Sequence, residues 1–238
     1  FSLVSSIEMD KEHGFDYVSY WRRGLYTAAA AKAVAEAAGL EEADEAFLSG
    51  MLQDIGMIAL HRTLGDEYIH VLARAEGDHA RVVAEELAVL EVQHPDIGAT
   101  IAERWRLPEE LTVPIKYHER PTAAPKDHLP IVRCVAIGNL AHDAMTHEDP
   151  APALRRYFDR CQQWLGLDQR QSEAAFERFA AATEELSDLF SLDTGEAREA
   201  EEILAEAESR LIRLTESEPR PSAGVDHLDH LLQGDGLN

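Results

Sequence analysis

Helical periodicity runs through nearly the whole chain and most constrains its fold. Apolar residues recur at steps of three and four, and no stretch alternates apolar and polar residues for long enough to predict a strand. With 238 residues, of which 45% are apolar and 28% charged, the chain is long enough for a substantial core. We therefore predict an all-α protein of one or two domains, built as a multi-helix bundle.

The predicted helices begin and end at ordinary capping residues. The first starts after Asp16 as N-cap and ends at Gly39, and the second covers Ala43 to His61. Further helices are predicted at 66–75, 79–90, 95–106, 108–118, 129–146, 150–165 and 172–190, with a proline-containing loop at 119–127. Three tryptophans, Trp21, Trp105 and Trp164, follow apolar stripes and are predicted to anchor the core.

Charge and composition exclude several classes of partner. The 22 Lys and Arg residues against 45 Asp and Glu residues leave a net charge of −23, which repels phosphate backbones and anionic lipids. We expect no nucleic-acid partner, and no apolar run is long enough to predict a membrane span. Cys134 and Cys161 lack any metal-binding spacing, so we expect buried, reduced thiols and a cytoplasmic protein.

The C-terminal part of the chain differs from the rest. We predict one helical domain over residues 1–190, an extended helix over 191–216 and a linker or tail over 217–238. Between Ala197 and Leu214 the apolar residues alternate steps of three and four, the period of a coiled-coil seam. This helix either forms a homodimer or packs back on its own domain.

Asp54 is the most unusual residue of the predicted helices. It shares an apolar helix face with Phe47 and Met51, so its carboxylate should be buried. A buried carboxylate must be neutralised, bound to a cation or held by hydrogen-bond donors. Gly50 and Gly56 lie within about one turn of it and indicate that another backbone approaches closely.

Six separate segments form a distinctive pattern by their order and spacing: Phe15-Asp16-Tyr17, Tyr20-Trp21-Arg22-Arg23, Phe47 to Gly56, Gln93 to Ala99, Trp105-Arg106-Leu107-Pro108 and Tyr117-His118. Together they resemble the HDOD domain. The resemblance covers about residues 1–165 and implies a bacterial signalling module related to the HD metal-dependent phosphohydrolases. It also implies that an N-terminal helical portion of the family is absent from this chain.

The HD phosphohydrolase pattern of four His or Asp ligands is poorly kept. By the resemblance, an early His falls at Arg23, the His-Asp pair at Gln53 and Asp54, and a late Asp at about Asn139, with Asp143 nearby. Only Asp54 keeps its type. His94 and His118 match positions at which related phosphodiesterases bind a second metal or a substrate phosphate.

These substitutions predict loss of the catalytic metal. A metal that activates water needs several converging anionic or imidazole ligands, and Gln53 offers only a neutral amide oxygen. We expect the guanidinium of Arg23, or of neighbouring Arg22, to pair with Asp54 in place of the metal. The prediction is therefore no catalytic residue, no metal and no cofactor. The remnant HD positions are Arg23, Gln53, Asp54, His94, His118 and Asn139.

Simpler interpretations of the same residues stay open. His94 precedes Pro95 and could merely end a turn, and His118 could complement the negative end of a helix. Asn139 could be a satisfied core amide. The histidines at 128, 142, 147, 227 and 230 show no ligand spacing.

The resemblance implies a non-catalytic signal-transduction module. Such a module binds a protein partner or relays a conformational state to a neighbouring receiver, GGDEF or EAL domain, and so takes part in cyclic-dinucleotide signalling. A degenerate phosphohydrolase that uses Asp54, His94 and His118 with Mn²⁺, Fe²⁺ or Mg²⁺ is the alternative. A small-molecule sensor that uses the remnant cleft is a third.

Overall fold

The computed structural model describes the backbone of residues 14–190 and the side chains of residues 14–183. In this part of the chain, every regular element is helical, which confirms the predicted all-α class. The α-helices are α1 Tyr17–Ala37, α2 Ala43–Leu52, α3 Ile55–Leu64, α4 Asp66–Arg74, α5 His79–Leu90, α6 His94–Arg104, α7 Glu109–Tyr117, α8 Leu129–Thr146, α9 Ala151–Leu165 and α10 Gln169–Phe190. Short 3₁₀ turns at Pro121–Ala123 and Lys126–His128 interrupt the predicted loop.

Helix α1 lies at the centre of the bundle and packs against α2, α8 and α10. Asp16 caps it by accepting hydrogen bonds from the backbone N–H and the hydroxyl of Ser19. Its alanine-rich face is buried, and glycines of two other helices meet it. A Cβ atom added to Gly50 would lie 2.8 Å from Cα of Ala28, and one added to Gly138 would lie 2.6 Å from the carbonyl oxygen of Thr27. Small residues therefore set the close approach of these helices.

The predicted single helix from Ala43 to His61 is wrong, because the chain breaks at Gln53 and Asp54. Helix α2 ends at Leu52, and Asp54 is the N-cap residue of α3. Gly50 packs on α1, whereas Gly56 packs on α6, where an added Cβ atom would lie 2.0 Å from the carbonyl oxygen of His94. Six residues correspond to about 1.7 helical turns, so one straight helix would present the two glycines in different directions. The break lets each glycine meet its own partner.

Two further expectations need correction. Trp105 is 57% exposed at the end of α6, so it does not anchor the core, whereas Trp21 and Trp164 are half-buried. Two helices were also predicted to begin at a proline, and both boundaries differ by one residue. Pro95 is the second residue of α6, and Pro108 is the N-cap residue of α7. Helix boundaries commonly shift by one or two residues between criteria.

The buried apolar residues form two clusters. One surrounds α1, α8, α9 and α10, and includes Cys134 and Cys161, which are free thiols. The other lies around the start of α1 and helices α3 and α4. The predicted seam of Ala197–Leu214 and the tail of 217–238 lie outside the described residues. Between residues 14 and 190, no helix combines the length and the apolar character that crossing a membrane requires.

Candidate functional site

Asp54 is 2% exposed and lies among three imidazole rings. Its Oδ1 atom is 3.3 Å from Nε2 of His94, 3.3 Å from Nε2 of His118 and 3.5 Å from Nε2 of His79. None of the three contacts has hydrogen-bond geometry, and Oδ1 has no hydrogen-bond partner in the described structure. Three nitrogen atoms thus converge on one carboxylate oxygen without completing hydrogen bonds to it.

The other carboxylate oxygen of Asp54 faces Arg23. The guanidinium Nε lies 3.6 Å from Oδ2, close enough for an ion pair but without a hydrogen bond. The Nη1 group of Arg23 donates to Asp143 at 3.1 Å and lies 3.3 Å from Nδ1 of His142. Arg23 therefore bridges two carboxylates. The arginine that reaches Asp54 is the one aligned with the early HD ligand.

Gln53 and Asn139 form a closed amide pair beside Asp54. Gln53 donates to Oδ1 of Asn139 at 2.8 Å, and Asn139 donates to Oε1 of Gln53 at 2.9 Å. Thr27 also donates to Oδ1 of Asn139, at 3.1 Å. Both amides are buried. Oδ1 of Asn139 accepts two hydrogen bonds and so has no lone pair left for a metal, and Oε1 of Gln53 is held toward Asn139 by the other bond of the pair.

Residues of α4 and α5 hold the His94 ring in place. Nδ1 of His94 lies 2.9 Å from Oε2 of Glu86, and the backbone N–H of His94 donates to the same oxygen at 2.8 Å. The hydroxyl of Tyr68 donates to the other oxygen of Glu86 at 2.6 Å. Glu86 and His94 are each fully buried. A carboxylate behind an imidazole is the usual arrangement for fixing which nitrogen of a histidine faces a metal.

His118 and His79 complete the group from two other elements. Nδ1 of His118 lies 2.8 Å from the carbonyl oxygen of Ile115, which requires a proton on Nδ1 and leaves Nε2 toward Asp54. His79, the first residue of α5, lies with its Nε2 3.3 Å from Oε1 of Glu119. The carboxylate of Glu119 therefore lies at the edge of the group formed by Asp54 and the three histidines.

The ionisable groups shift one another's pKa in opposite directions. Burial alone would raise the pKa of Asp54, but attraction to His79 and contacts with the other imidazoles hold this pKa well below its usual range. Burial likewise opposes the charged form of His94, yet Asp54 and Glu86 outweigh it and raise the pKa of His94 to about 10. The pKa of Glu119 falls to about 2 because His79 and its neighbours outweigh burial. The carboxylates therefore favour the protonated imidazoles, and the imidazoles favour the ionised carboxylates.

A cavity of about 380 Å³ opens onto Asp54, Arg23 and His79. Its other charged and titratable lining residues are Asp16, Arg22, Asp78, His142, Asp143 and His147. Four aspartates against two arginines leave the lining with a negative formal charge when the histidines are neutral. Together with the net charge of −23, this lining favours cations over phosphate-bearing molecules.

Two sets of residues differ in how well they fit a metal. The positions aligned with the HD ligands, Arg23, Gln53 and Asn139, carry a guanidinium and a closed amide pair and do not fit. Ligand atoms of Asp54, His79, His94 and His118 all lie within 4.8 Å of one another. The unpartnered Oδ1 of Asp54 and Nε2 of His79 are the atoms that a cation would satisfy. Three imidazoles and one carboxylate suit a single Zn²⁺-type or Mn²⁺-type ion.

Two residues of the candidate site, His79 and Glu86, were not identified from the sequence. His79 follows the N-cap Asp78 and has no ligand-like spacing to the other histidines. Glu86 lies four residues from Val82 and four from Leu90, so it stands on an apolar helix face as Asp54 was expected to. The same argument from a carboxylate on an apolar face would have found Glu86.

Known proteins of similar sequence or fold support the all-α architecture. A curated relative, an uncharacterized protein of Treponema pallidum (strain Nichols), is 26% identical over 137 residues, 57% of this chain. The match covers 26% of that relative's length. A solved structure named "Putative phosphohydrolase", from Shewanella amazonensis, aligns with a TM-score of 0.60 at 20% identity, covering 74% of this chain and 65% of that one.

A second solved structure, an HDOD domain protein of unknown function from Geobacter sulfurreducens, aligns with a TM-score of 0.51 at 20% identity. That alignment covers 84% of this chain and 61% of the Geobacter chain. At such identities, the two structures establish the all-α fold alone. The HDOD domain model itself matches residues 1–121, which is more than half of the sequence. The chain therefore belongs to the HDOD domain family.

Proposed function

We propose that this chain is a non-catalytic signalling module. The observation that carries the proposal is the closed network at the four positions aligned with the HD metal ligands. Gln53 and Asn139 satisfy each other, and Arg23 places a permanent positive charge 3.6 Å from Asp54. The guanidinium of Arg23 repels a divalent ion on the Oδ2 side of Asp54, and Oδ1 of Asn139, which already accepts two hydrogen bonds, is a poor ligand for one.

The neighbouring histidines support the same conclusion. A catalytic metal needs a position left open for water, whereas four protein ligands close a tetrahedral site. Asp54, His79, His94 and His118 supply four ligand atoms from four different parts of the chain. An ion bound there would thus be coordinated in the manner of a structural metal.

The partner is proposed as another protein or an adjacent receiver, GGDEF or EAL domain of a bacterial signalling protein. The negative cavity and net charge support a protein partner rather than nucleic acid. We also propose a cytoplasmic location, because Cys134 and Cys161 are free and buried. The segment Ala197–Leu214, predicted from its sequence to be a helix, is proposed as a dimer contact, which light scattering on the chain with and without residues after 193 would test. An unchanged mass would count against that contact.

Restoring the aligned ligands tests the non-catalytic proposal. The triple variant Arg23→His, Gln53→His, Asn139→Asp supplies the His and Asp groups that the family pattern places at these positions. We expect the wild-type chain to show no Mn²⁺-dependent phosphodiester hydrolysis, and the variant to bind more Mn²⁺ per chain by elemental analysis. The double variant Arg74→Gln, Arg81→Gln, whose guanidinium groups pair with Glu85 and Glu76 at the surface, is the control that also lowers the net charge by two. Turnover by the wild type that requires Asp54 would refute the proposal.

The second candidate is a phosphohydrolase with a single metal. The convergence of Asp54, His79, His94 and His118 specifically favours it. An ion that takes six ligands, such as Mn²⁺, would keep open positions when held by these four residues, and there it would supply activation of water and charge neutralisation at a phosphodiester. The Shewanella protein of similar fold carries a phosphohydrolase name, although its identity to this chain is 20%. Hydrolysis lost on substitution of His79 or Asp54, with added Mn²⁺ or Fe²⁺, would establish this function.

A further inference from the structure

Glu86 is a buried carboxylate that contacts His94, one of the residues of the candidate site. It is fully buried on α5, while its sequence neighbour Glu85 pairs with Arg74 at the surface. Three donors surround its carboxylate: the Tyr68 hydroxyl at 2.6 Å, the His94 backbone N–H at 2.8 Å and the His94 Nδ1 at 2.9 Å. Two of these donors belong to His94. A buried carboxylate without such donors would cost several kcal/mol.

The chemistry of an imidazole explains what these contacts do. A carboxylate only accepts hydrogen bonds, so the Nδ1 that faces Glu86 must carry a proton. The other nitrogen of His94 is thereby left to face Asp54, 3.3 Å away. A glutamine in place of Glu86 could turn its NH₂ group toward Nδ1 and donate to it. That arrangement would move the ring proton to Nε2 and remove the lone pair that a metal needs.

We infer that Glu86 is a positioning residue for the Asp54 cluster: it fixes His94 with Nδ1 protonated and Nε2 presented as a ligand atom. This inference rests on the cation site proposed above for Asp54, His79, His94 and His118. Glu86 is not itself a ligand, but it determines how tightly the four ligands bind the cation. Glu86 itself is not among the residues that line the cavity.

Cobalt binding by the whole metal-free chain measures the effect. Co²⁺ is titrated into wild type, Glu86→Gln and the matched control Glu85→Gln, with binding followed by the visible absorption of the bound ion. We expect Glu86→Gln to weaken binding about 10- to 100-fold, as loss of a carboxylate behind a histidine ligand commonly does. Glu85→Gln should bind within about twofold of wild type, because Glu85 pairs with Arg74 and has no contact with His94 or Asp54 among the described hydrogen bonds and ion pairs. Equal affinities for Glu86→Gln and wild type would overturn the inference.

A nuclear magnetic resonance readout separates this inference from the cation site itself. In the ¹⁵N-labelled metal-free chain, we expect a strongly downfield proton on Nδ1 of His94 because a carboxylate accepts it, assigned by its loss in His94→Gln and moved upfield or lost to solvent exchange in Glu86→Gln. This measurement needs only the wild type if Glu86→Gln does not fold. If wild type binds no Co²⁺ but shows this proton, the cation site fails and the positioning role stands. If His94 carries no proton on Nδ1, the positioning role is refuted whatever the metal result.

Discussion

A methyl group at Gly56 tests whether the contact between α3 and α6 sets the position of His94. A Cβ atom there would lie 2.0 Å from the carbonyl oxygen of His94 and 2.8 Å from the amide nitrogen of Gly98. Ordinary contacts begin at 3.4 Å, so the two backbones would have to part by about 1.4 Å along that line. Both neighbours are backbone atoms, which cannot rotate away as a side chain can.

The energetic result follows from two opposing effects. Overpacking costs about 1–3 kcal/mol or more, and the better helix propensity of alanine returns at most about 1 kcal/mol. With a 1.4 Å displacement, from 2.0 to 3.4 Å, we expect the upper end of that cost and a net loss of about 2 kcal/mol or more in the free energy of unfolding. Urea unfolding followed by circular dichroism measures it.

A graded control exists on α1. A Cβ atom on Gly24 would lie 3.2 Å from the carbonyl oxygen of Met51, so Gly24→Ala requires a shift of only a few tenths of an ångström. We expect its free energy of unfolding to lie within about 1 kcal/mol of wild type. A Gly56→Ala variant as stable as Gly24→Ala would refute the close approach, and with it the reason that His94 lies against Asp54.

Three further predictions concern the site and the surface. A double-mutant cycle on Gln53→Ala and Asn139→Ala should give a coupling of about 1–3 kcal/mol in urea unfolding, since two buried hydrogen bonds join these amides; additive effects would contradict the closed pair. The pKa of His94 is raised from 6.5 to about 10 in the folded metal-free chain, so its stabilisation is complete below pH 6.5 and is lost as pH rises toward 10. The free energy of unfolding should therefore decline over that alkaline range more steeply in wild type than in His94→Asn. An equal pH dependence of the two proteins would contradict the raised pKa of His94. Trp105→Ala should change the free energy of unfolding by less than about 0.5 kcal/mol, because Trp105 is 57% exposed; a larger loss would show that it anchors the core after all.

The fold class and most helix limits could be predicted from the sequence, because periodicity and capping residues act locally. Helices α4, α5 and α8 lie where the pattern placed them to within about one residue. The break at Gln53 and Asp54 could not be predicted, since it depends on which distant helices Gly50 and Gly56 meet. Trp105 was misplaced because an apolar stripe does not show where its helix ends.

The candidate site was predictable only where a residue violated the pattern of its own helix. Asp54 was found because a carboxylate stood on an apolar face, and the resemblance to the HDOD domain then located Arg23, Gln53 and Asn139 around it. His79 comes to Asp54 from 25 positions along the chain with no local signal, and only the tertiary packing reveals it. Long-range convergence of this kind depends on helix packing, which single-sequence periodicity does not encode.

The most direct test of the central claim is hydrolysis of a simple phosphodiester, bis(p-nitrophenyl) phosphate, by the wild-type chain after loading with Mn²⁺, Fe²⁺ or Mg²⁺. If Arg23 and the paired amides have replaced the catalytic metal, nitrophenol release should equal that of an Asp54→Asn variant prepared in the same way. Release that exceeds the variant and scales with the metal content of the wild-type chain would contradict the account.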